Sequence, residues 1–125
     1  NYWNQKILGH GDLNLGNILV DNNQVNFIDF EYSSTMPRGF DIANYLCEYN
    51  GIDDFKYPNL EIRKTFISCY LGKDCSSEDV KIIDLYAKIS HYYWSCWAII
   101  QSRYSYLDFD YRNYSRIRFK LLKKI

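Results

Sequence analysis

The sequence predicts an α+β fold that is mainly helical and carries one small β-hairpin near its amino terminus. From Gly39 onward, apolar residues recur at helical spacings of three and four, whereas strand-like alternation is confined to a short stretch before it. At 125 residues the chain can bury one core of modest size. We therefore assign residues 1–125 to a single domain.

Composition excludes several classes of protein. Lys and Arg together number 15, as do Asp and Glu, so no net charge indicates a nucleic-acid binder. No apolar stretch approaches the roughly 20 residues that a membrane-spanning helix needs. The four cysteines form neither a C-x-x-C pair nor a zinc pattern, which favours a reduced chain in the cytoplasm.

The first elements are a short strand at residues 6–9 and a hairpin at residues 17–29. The turn-forming residues 21–24 separate an apolar run at residues 18–20 from an alternating segment at residues 25–29. If the turn centres between Asn22 and Asn23, paired positions add up to about 45. Asn17 then faces Ile28, with Asp29 adjacent, and directly opposed residues lie about 5 Å apart.

The remaining chain is predicted to be irregular at residues 31–37, because of its serines and proline, and helical afterwards. A glycine cap, a capping box and the apolar spacing mark the helix boundaries. The predicted helices run from Gly39 to about Tyr49, from Pro58 and Asn59 to Gly72, from Ser76 to about Tyr104, and from Asp110 onward.

Four polar residues around the hairpin have the spacing of a phosphoryl-transfer site. His10, Asp12 and Asn17 fit the pattern H-x-D-x-x-x-x-N, and Asp29 stands where a second metal-binding carboxylate would follow. Asp12 would orient the attacking hydroxyl, while Asn17 and Asp29 would offer oxygen ligands to Mg²⁺. Each residue alone has a structural alternative, but the ordered set favours this function.

Four segments lie in order along the chain: His10-Gly-Asp12, I-D-F-E-Y at residues 28–32, Arg38-Gly-Phe-Asp41-Ile and Trp94-Ser-Cys-Trp97. With them the sequence resembles the choline/ethanolamine kinases and, more loosely, the aminoglycoside phosphotransferases. The resemblance implies the C-terminal lobe of a protein-kinase-like fold. It also implies phosphorylation of the hydroxyl of choline or ethanolamine by ATP and Mg²⁺ in phospholipid synthesis.

An aromatic set matches the choline pocket of that family. Trp94 and Trp97 lie one helical turn apart, and a short connection could fold Phe109 and Tyr114 over them. A trimethylammonium group has no N–H to donate and binds best to aromatic faces. The alternative is an ordinary hydrophobic core, but the position-by-position match favours a substrate-binding cage.

Two acidic residues of the first helix also correspond to family positions. Glu48 would lie near the positive charge of the substrate, and its alternative is a solvated residue at the helix end. Asp41 would brace the catalytic loop together with His10, and its alternative is a carboxylate that simply favours the helix amino terminus.

Nine residues precede His10, so we expect the glycine-rich loop and the ATP-contacting lysine of an N-terminal ATP-binding lobe to be absent from this chain. The 125 residues alone should then be inactive and should expose an unusually apolar face. A non-catalytic fragment that binds a partner is the alternative. An aminoglycoside-type phosphotransferase is disfavoured by the paired tryptophans.

The choice between choline and ethanolamine stays open at this point. Residues 30–34 together with Arg38-Gly resemble the choline type, whereas residues 104–111 resemble the ethanolamine type more closely. Gly11 occupies a position where choline kinases usually carry Asn. The expected partners are ATP and the small amine substrate, and we allow for a homodimer.

Overall fold

A computed structural model describes residues 2–51 and 55–125 and confirms the mainly helical α+β fold. The strands are short, and three 3-10 turns lie at residues 2–4, 15–17 and 30–32. The strands are β1 (Lys6–Gly9), β2 (Ile18–Asp21), β3 (Gln24–Phe27) and β4 (Ser34–Pro37); the helices are α1 (Arg38–Cys47), α2 (Leu60–Leu71), α3 (Ser77–Tyr104) and α4 (Tyr111–Leu121).

The hairpin has the predicted register. Strands β2 and β3 pair antiparallel with Ile18 opposite Phe27, so paired positions add up to 45 as expected. Asn22 and Asn23 have φ angles of 45° and 62°, the left-handed conformation that two-residue hairpin turns require. The N–H of Ile28 donates to the carbonyl of Asn17 at 3.1 Å, which brings Asn17 next to Asp29.

The prediction that residues 31–37 are irregular was wrong. Strand β4 pairs antiparallel with β1, from Lys6 opposite Pro37 to Gly9 opposite Ser34, so the fold contains a second two-stranded sheet. Local breakers were overridden by long-range pairing, because Pro37 falls at the strand end where a missing N–H is tolerated. This sheet places the loop that follows β1 beside the start of α1.

The predicted helix signals are confirmed by their hydrogen bonds. The side chain of Asn59 caps α2, and Gly72 ends that helix with a φ of 66°. Ser76 and Asp79 form a reciprocal capping box at the start of α3, and Asp110 caps α4. Helix α1 ends two residues before the predicted boundary.

The core lies between α1, α2 and α3, and α4 packs against α3. Close approach of α1 to α3 requires Gly39, since an added Cβ would overlap the ring of Tyr86. Because α3 is 28 residues long, it forms part of this core and also carries both tryptophans of the predicted cage. The buried apolar residues are Trp3, Ile42, Ala43, Leu46, Cys47, Ile67, Val80, Ile83 and Ala87.

Three further findings bear on the sequence predictions. Among the described helices, none is long and apolar enough to cross a membrane. The four cysteines are free thiols. The β2–β3 hairpin exposes four large apolar side chains: Leu19, Val20, Val25 and Phe27.

Candidate active site

The loop after β1 is held from behind by Asp41. One carboxylate oxygen accepts the N–H of His10 at 2.6 Å, and the other accepts the N–H of Gly11 at 2.8 Å. Hydrogen bonds to an ionised acceptor are the stronger kind, and both lie in a buried setting. Gly11 has a φ of +84° and lies against the carbonyl of Tyr32, where a side chain would not fit. Asp41 therefore has the geometry of the expected brace.

His10 ties the loop to the end of the hairpin. The N–H of Asp12 donates to Nδ1 of His10 at 3.3 Å, so Nδ1 is an acceptor and the ring proton is on Nε2. Nε2 then donates to the carbonyl of Ile28 at 2.8 Å. Because Ile28 immediately precedes Asp29, this contact ties the loop that carries Asp12 to the backbone next to Asp29.

Asp12 is half-buried and faces Asn17. Nδ2 of Asn17 donates to the carbonyl of Asp12 at 2.9 Å and to its Oδ2 at 3.2 Å. Burial raises the pKa of Asp12, and the nearby charge of Asp29 adds to this, while Asn14, His10 and Asn17 lower it. The net direction is upward, as suits a group that receives a proton during catalysis.

Asn17 and Asp29 form the candidate metal site. Asp29 has a left-handed backbone, with a φ of 64°, a conformation that non-glycine residues rarely adopt and that is common at functional sites. Within the described residues, no three His, Cys, Asp or Glu side chains converge on one point. One amide and one or two carboxylates nevertheless fit Mg²⁺, which completes its shell with water and substrate phosphates.

The four predicted aromatic residues line one cavity of about 330 Å³. The ring centroid of Trp97 lies 5.2 Å from that of Trp94 and 6.3 Å from that of Tyr114, and Phe109 lies 5.8 Å from Tyr114. Trp94 is almost fully buried, whereas Trp97 is only half-buried. The cavity is lined by Asp12, Asn14, Glu31, Tyr32, Glu48, Trp94, Trp97, Leu107, Phe109, Tyr111 and Tyr114.

Two tyrosines of this cavity were missed by the sequence analysis. The hydroxyl of Tyr32 accepts the indole N–H of Trp97 at 3.0 Å, and its ring contacts Trp94 edge-on at 5.3 Å. Tyr111 packs edge-on against Trp97 at 5.7 Å. With 13 tyrosines in the chain, no spacing distinguished these two, although Tyr32 belongs to the I-D-F-E-Y segment.

Glu48 lies at the cavity wall, so the alternative of a solvated helix-end residue was wrong. Only 3% of Glu48 is exposed, and its Oε1 accepts a hydrogen bond from Arg118 at 2.7 Å. Burial raises the pKa of Glu48, and the charge of Arg118 opposes that rise. The sequence analysis missed Arg118, because nothing in a basic helix marks one arginine as buried.

A larger cavity of about 670 Å³ lies on the other side of Phe109 and Tyr114. It is lined by α4 residues and by His91, but it contains none of the loop carboxylates. We take the smaller cavity as the candidate active site, because Asp12 and the tryptophans meet there.

The chain is similar in sequence to known kinases. The sequence model of the choline/ethanolamine kinases matches residues 2–123. Probable choline kinase 3 of Arabidopsis thaliana is 39% identical over 129 residues, which cover 89% of this chain and 37% of that protein. The probable ethanolamine kinase of the same organism is also 39% identical, over 94% of this chain and 35% of its own length.

Among solved structures, the fold is similar to that of an ethanolamine kinase from Plasmodium vivax. The TM-score is 0.80 at 36% sequence identity, over 94% of this chain and 33% of that one. This similarity confirms the predicted fold class. The chain spans only 37% and 35% of the lengths of these two curated relatives.

Proposed function

Because the chain belongs to the choline/ethanolamine kinase family, we propose that it forms the acceptor-binding and catalytic part of an ATP-dependent kinase for choline or ethanolamine. The observation that carries this proposal is that Asp12 and the pair Trp94 and Trp97 line the same cavity. A hydroxyl group two carbons away from an ammonium group would then lie near Asp12 when the ammonium contacts the aromatic rings.

In this proposal Asp12 accepts the proton of the substrate hydroxyl. The hydroxyl oxygen forms a bond to the γ-phosphorus of ATP, the bond between that phosphorus and the β,γ-bridging oxygen breaks, and ADP leaves. The raised pKa of Asp12 supports this role, because a base is most effective when its pKa approaches the working pH. His10 and Asp41 position the loop and take no proton.

Asn17 and Asp29 would hold Mg²⁺ through their side-chain oxygens. When bound, the ion neutralises the charge on the phosphate oxygens of ATP. The hydrogen bond from Nδ2 of Asn17 to Asp12 leaves Oδ1 as the ligating atom of that amide. Asp29 lies two residues beyond the end of the hairpin strand β3 and has a left-handed backbone.

The aromatic lining suits the quaternary ammonium of choline. Trp97, Tyr114 and Phe109 line the cavity with rings whose faces attract a cation, and Trp97 is only half-buried. Cation–π contacts of this kind contribute up to about 2 kcal/mol when desolvated. Ethanolamine, unlike choline, carries N–H groups on its ammonium. The exposed carboxylate of Glu31 lines the same cavity and could accept a hydrogen bond from them.

Glu48 contributes to the electrostatic potential of the cavity as a member of the ion pair with Arg118. Because Arg118 neutralises most of its charge, direct attraction of the ammonium would come mainly from the rings and from Asp12 and Glu31.

The free thiols of the cysteines suit a reducing compartment, and we place the protein in the cytoplasm.

We expect the 125 residues alone not to turn over ATP at an ordinary kinase rate. Phosphoryl transfer depends on positioning both reactants, and none of the described elements is a glycine-rich nucleotide loop. A partner-binding fragment that has lost catalysis is the competing function.

A chimera tests the proposal directly. The chain would replace the matching third of Arabidopsis probable choline kinase 3, with Asp12→Asn as the inactive variant. Formation of phosphocholine and phosphoethanolamine from ATP would be followed by ³¹P NMR. We expect the chimera to phosphorylate one or both amines and Asp12→Asn to lose at least about a hundredfold in kcat.

A folded chimera that binds ATP and forms neither product would contradict the proposal and favour the fragment. Full activity in Asp12→Asn would contradict the assigned role of the carboxylate, even if the amines are phosphorylated.

A further inference from the structure

The side chain of Asn44, on α1, contacts three parts of the site at once. Its Oδ1 accepts the indole N–H of Trp94 and the hydroxyl of Ser90, both at 2.7 Å. Its Nδ2 donates to the backbone carbonyl of Leu13 at 3.2 Å. Neither Asn44 nor Ser90 is exposed to solvent, and both bonds to Oδ1 are buried, so water does not compete for them.

The chemistry of the three neighbours requires an amide at this position. An indole N–H can only donate and a backbone carbonyl can only accept, so the central group must carry an acceptor and a donor on one rigid plane. A carboxylate lacks the donor for Leu13, and an apolar side chain of similar size lacks both. This arrangement also fixes the orientation of the amide, with Oδ1 toward Trp94.

The two polar atoms of the Asn44 amide contact different parts of the proposed site. Leu13 directly follows Asp12, whereas Trp94 forms the deep wall of the cavity. We infer that Asn44 is a positioning residue that fixes the backbone next to Asp12 relative to the wall of the amine pocket. This inference rests on the proposed function for its meaning, but its geometry does not depend on which amine binds.

Asn44 and Asp41 hold opposite sides of the loop. Asp41 accepts the N–H groups of His10 and Gly11, before Asp12, and Asn44 donates to the carbonyl of Leu13, after it. The two residues are three positions apart and so lie on one face of α1. Helix α1 therefore binds the loop backbone on both sides of Asp12, before it and after it in sequence.

The arrangement continues to α4. Nη2 of Arg118 donates to the hydroxyl of Ser90 at 3.2 Å, and Nη1 donates to Glu48. Arg118 thus holds the Ser90 hydroxyl in place. If a ligand displaced Trp94, we expect the displacement to move Asn44 before it moves Ser90. The expected consequence is a coordinated response of the indole N–H and the loop when the pocket fills.

Amide hydrogen exchange in the unliganded chain tests the positioning role. Gly16 and Asn17 have hydrogen-bonded amides in the loop, and α3 amides near Ile83 report on global unfolding. We expect Asn44→Ala to speed exchange in the loop by about tenfold beyond any change near Ile83. The control Ser95→Ala removes another buried hydroxyl of α3, which bonds to Ser115, and should leave the loop as in wild type.

A second variant keeps the test decisive if Asn44→Ala does not fold. In Asn44→Asp the protonated carboxyl has the shape of the amide and one donor, and the ionised form has none. At low pH we expect the loop amides of Asn44→Asp to exchange as fast as those of Ser95→Ala. Once the new carboxyl ionises, they should exchange faster than those of Ser95→Ala. The amides near Ile83 should show no such step. Loop exchange that is unchanged in both variants, or that changes only with global stability, would overturn the inference.

Choline titration separates this inference from the proposed function. In wild type, choline should shift the NMR signals of the Trp94 indole and the loop amides together; in ionised Asn44→Asp only the indole should respond. A loop that responds equally in the variant overturns the coupling. If choline and ethanolamine leave the wild-type indole unchanged, the proposed function fails, and the exchange data still decide whether Asn44 positions the loop.

Discussion

Arg118 of α4 donates a hydrogen bond to Glu48, which caps the end of α1, at 2.7 Å, and neither side chain is appreciably exposed. The guanidinium also lies 5.0 Å from the ring of Phe55 and 5.7 Å from that of Tyr114. This buried pair joins the last helix to the first, directly behind the aromatic cavity. Its removal should therefore affect both stability and the pocket.

We predict that Arg118→Met destabilises the chain by about 3–5 kcal/mol, because Glu48 would be left buried without a partner. The double variant with Glu48→Gln should recover much of that loss, since the uncompensated charge is removed. Urea unfolding measures both values. Equal stability of the single and double variants would show that the charge of Glu48 does not need Arg118.

A second prediction concerns acid sensitivity. Burial, with a smaller effect of the Arg118 charge, lowers the pKa of His91 to about 3, and the side chain is 1% exposed. The unfolded chain has an ordinary histidine pKa of about 6.5, so it binds more protons than the folded chain between these values. Stability due to neutral His91 is thus complete above pH 6.5 and is lost progressively as the pH falls toward 3.

The expected loss between pH 7 and pH 5 is about 2 kcal/mol for this one group. His91→Phe keeps an aromatic ring but cannot titrate, so its unfolding free energy should fall by that much less over the same interval. Urea unfolding at both pH values measures the difference. Parallel pH dependences of wild type and variant would mean that His91 ionises without cost in the folded chain.

The metal site can be probed with Mn²⁺ in place of Mg²⁺. Bound Mn²⁺ should broaden the NMR signals of Asn17 and Asp29, and Asp29→Asn should weaken its binding by at least about tenfold. Asp21→Asn removes an exposed carboxylate at the turn of the same hairpin and should leave the affinity unchanged. Broadening centred elsewhere, or equal effects of the two substitutions, would exclude Asn17 and Asp29 as the ligand pair.

The fall of kcat/KM at low pH, the acid limb of the pH–rate profile, should reflect the protonation of Asp12. Since the ionised carboxylate is the active form and its pKa is raised by burial, kcat/KM of the chimera should fall with acid at a pH above the ordinary aspartate value of about 3.9. Asn14 lowers the pKa of Asp12, so Asn14→Ala should move this limb to higher pH. A limb that does not move, or moves to lower pH, contradicts the assignment.

The predictable parts of the site were those set by local chemistry. The turn at Asn22 and Asn23 fixed the register that places Asn17 beside Asp29, and the caps of α2 and α3 marked helix starts. Both kinds of signal act within a few residues. The brace by Asp41 came from the family resemblance and has matching geometry.

The missed parts depend on contacts between distant segments. Strand β4 exists because β1 offers it an edge, 28 residues earlier in sequence, and no local signal predicts that partner. Arg118 looks like any cation of a basic helix until α1 places Glu48 beside it. Asn44 likewise shows its role only when Leu13 and Trp94 are brought to it.

The central claim is that the aromatic cavity of this chain binds the ammonium group of the substrate, and choline affinity measured by calorimetry tests it most directly. We predict that the wild-type chain binds choline and that Trp97→Ala weakens binding roughly thirtyfold, as loss of a desolvated cation–π contact requires. Tyr92→Ala removes an exposed ring of the same helix outside the cavity and should change the affinity less than about twofold. A folded Trp97→Ala that binds choline as tightly as wild type, or a wild-type chain that binds no choline, would contradict the account.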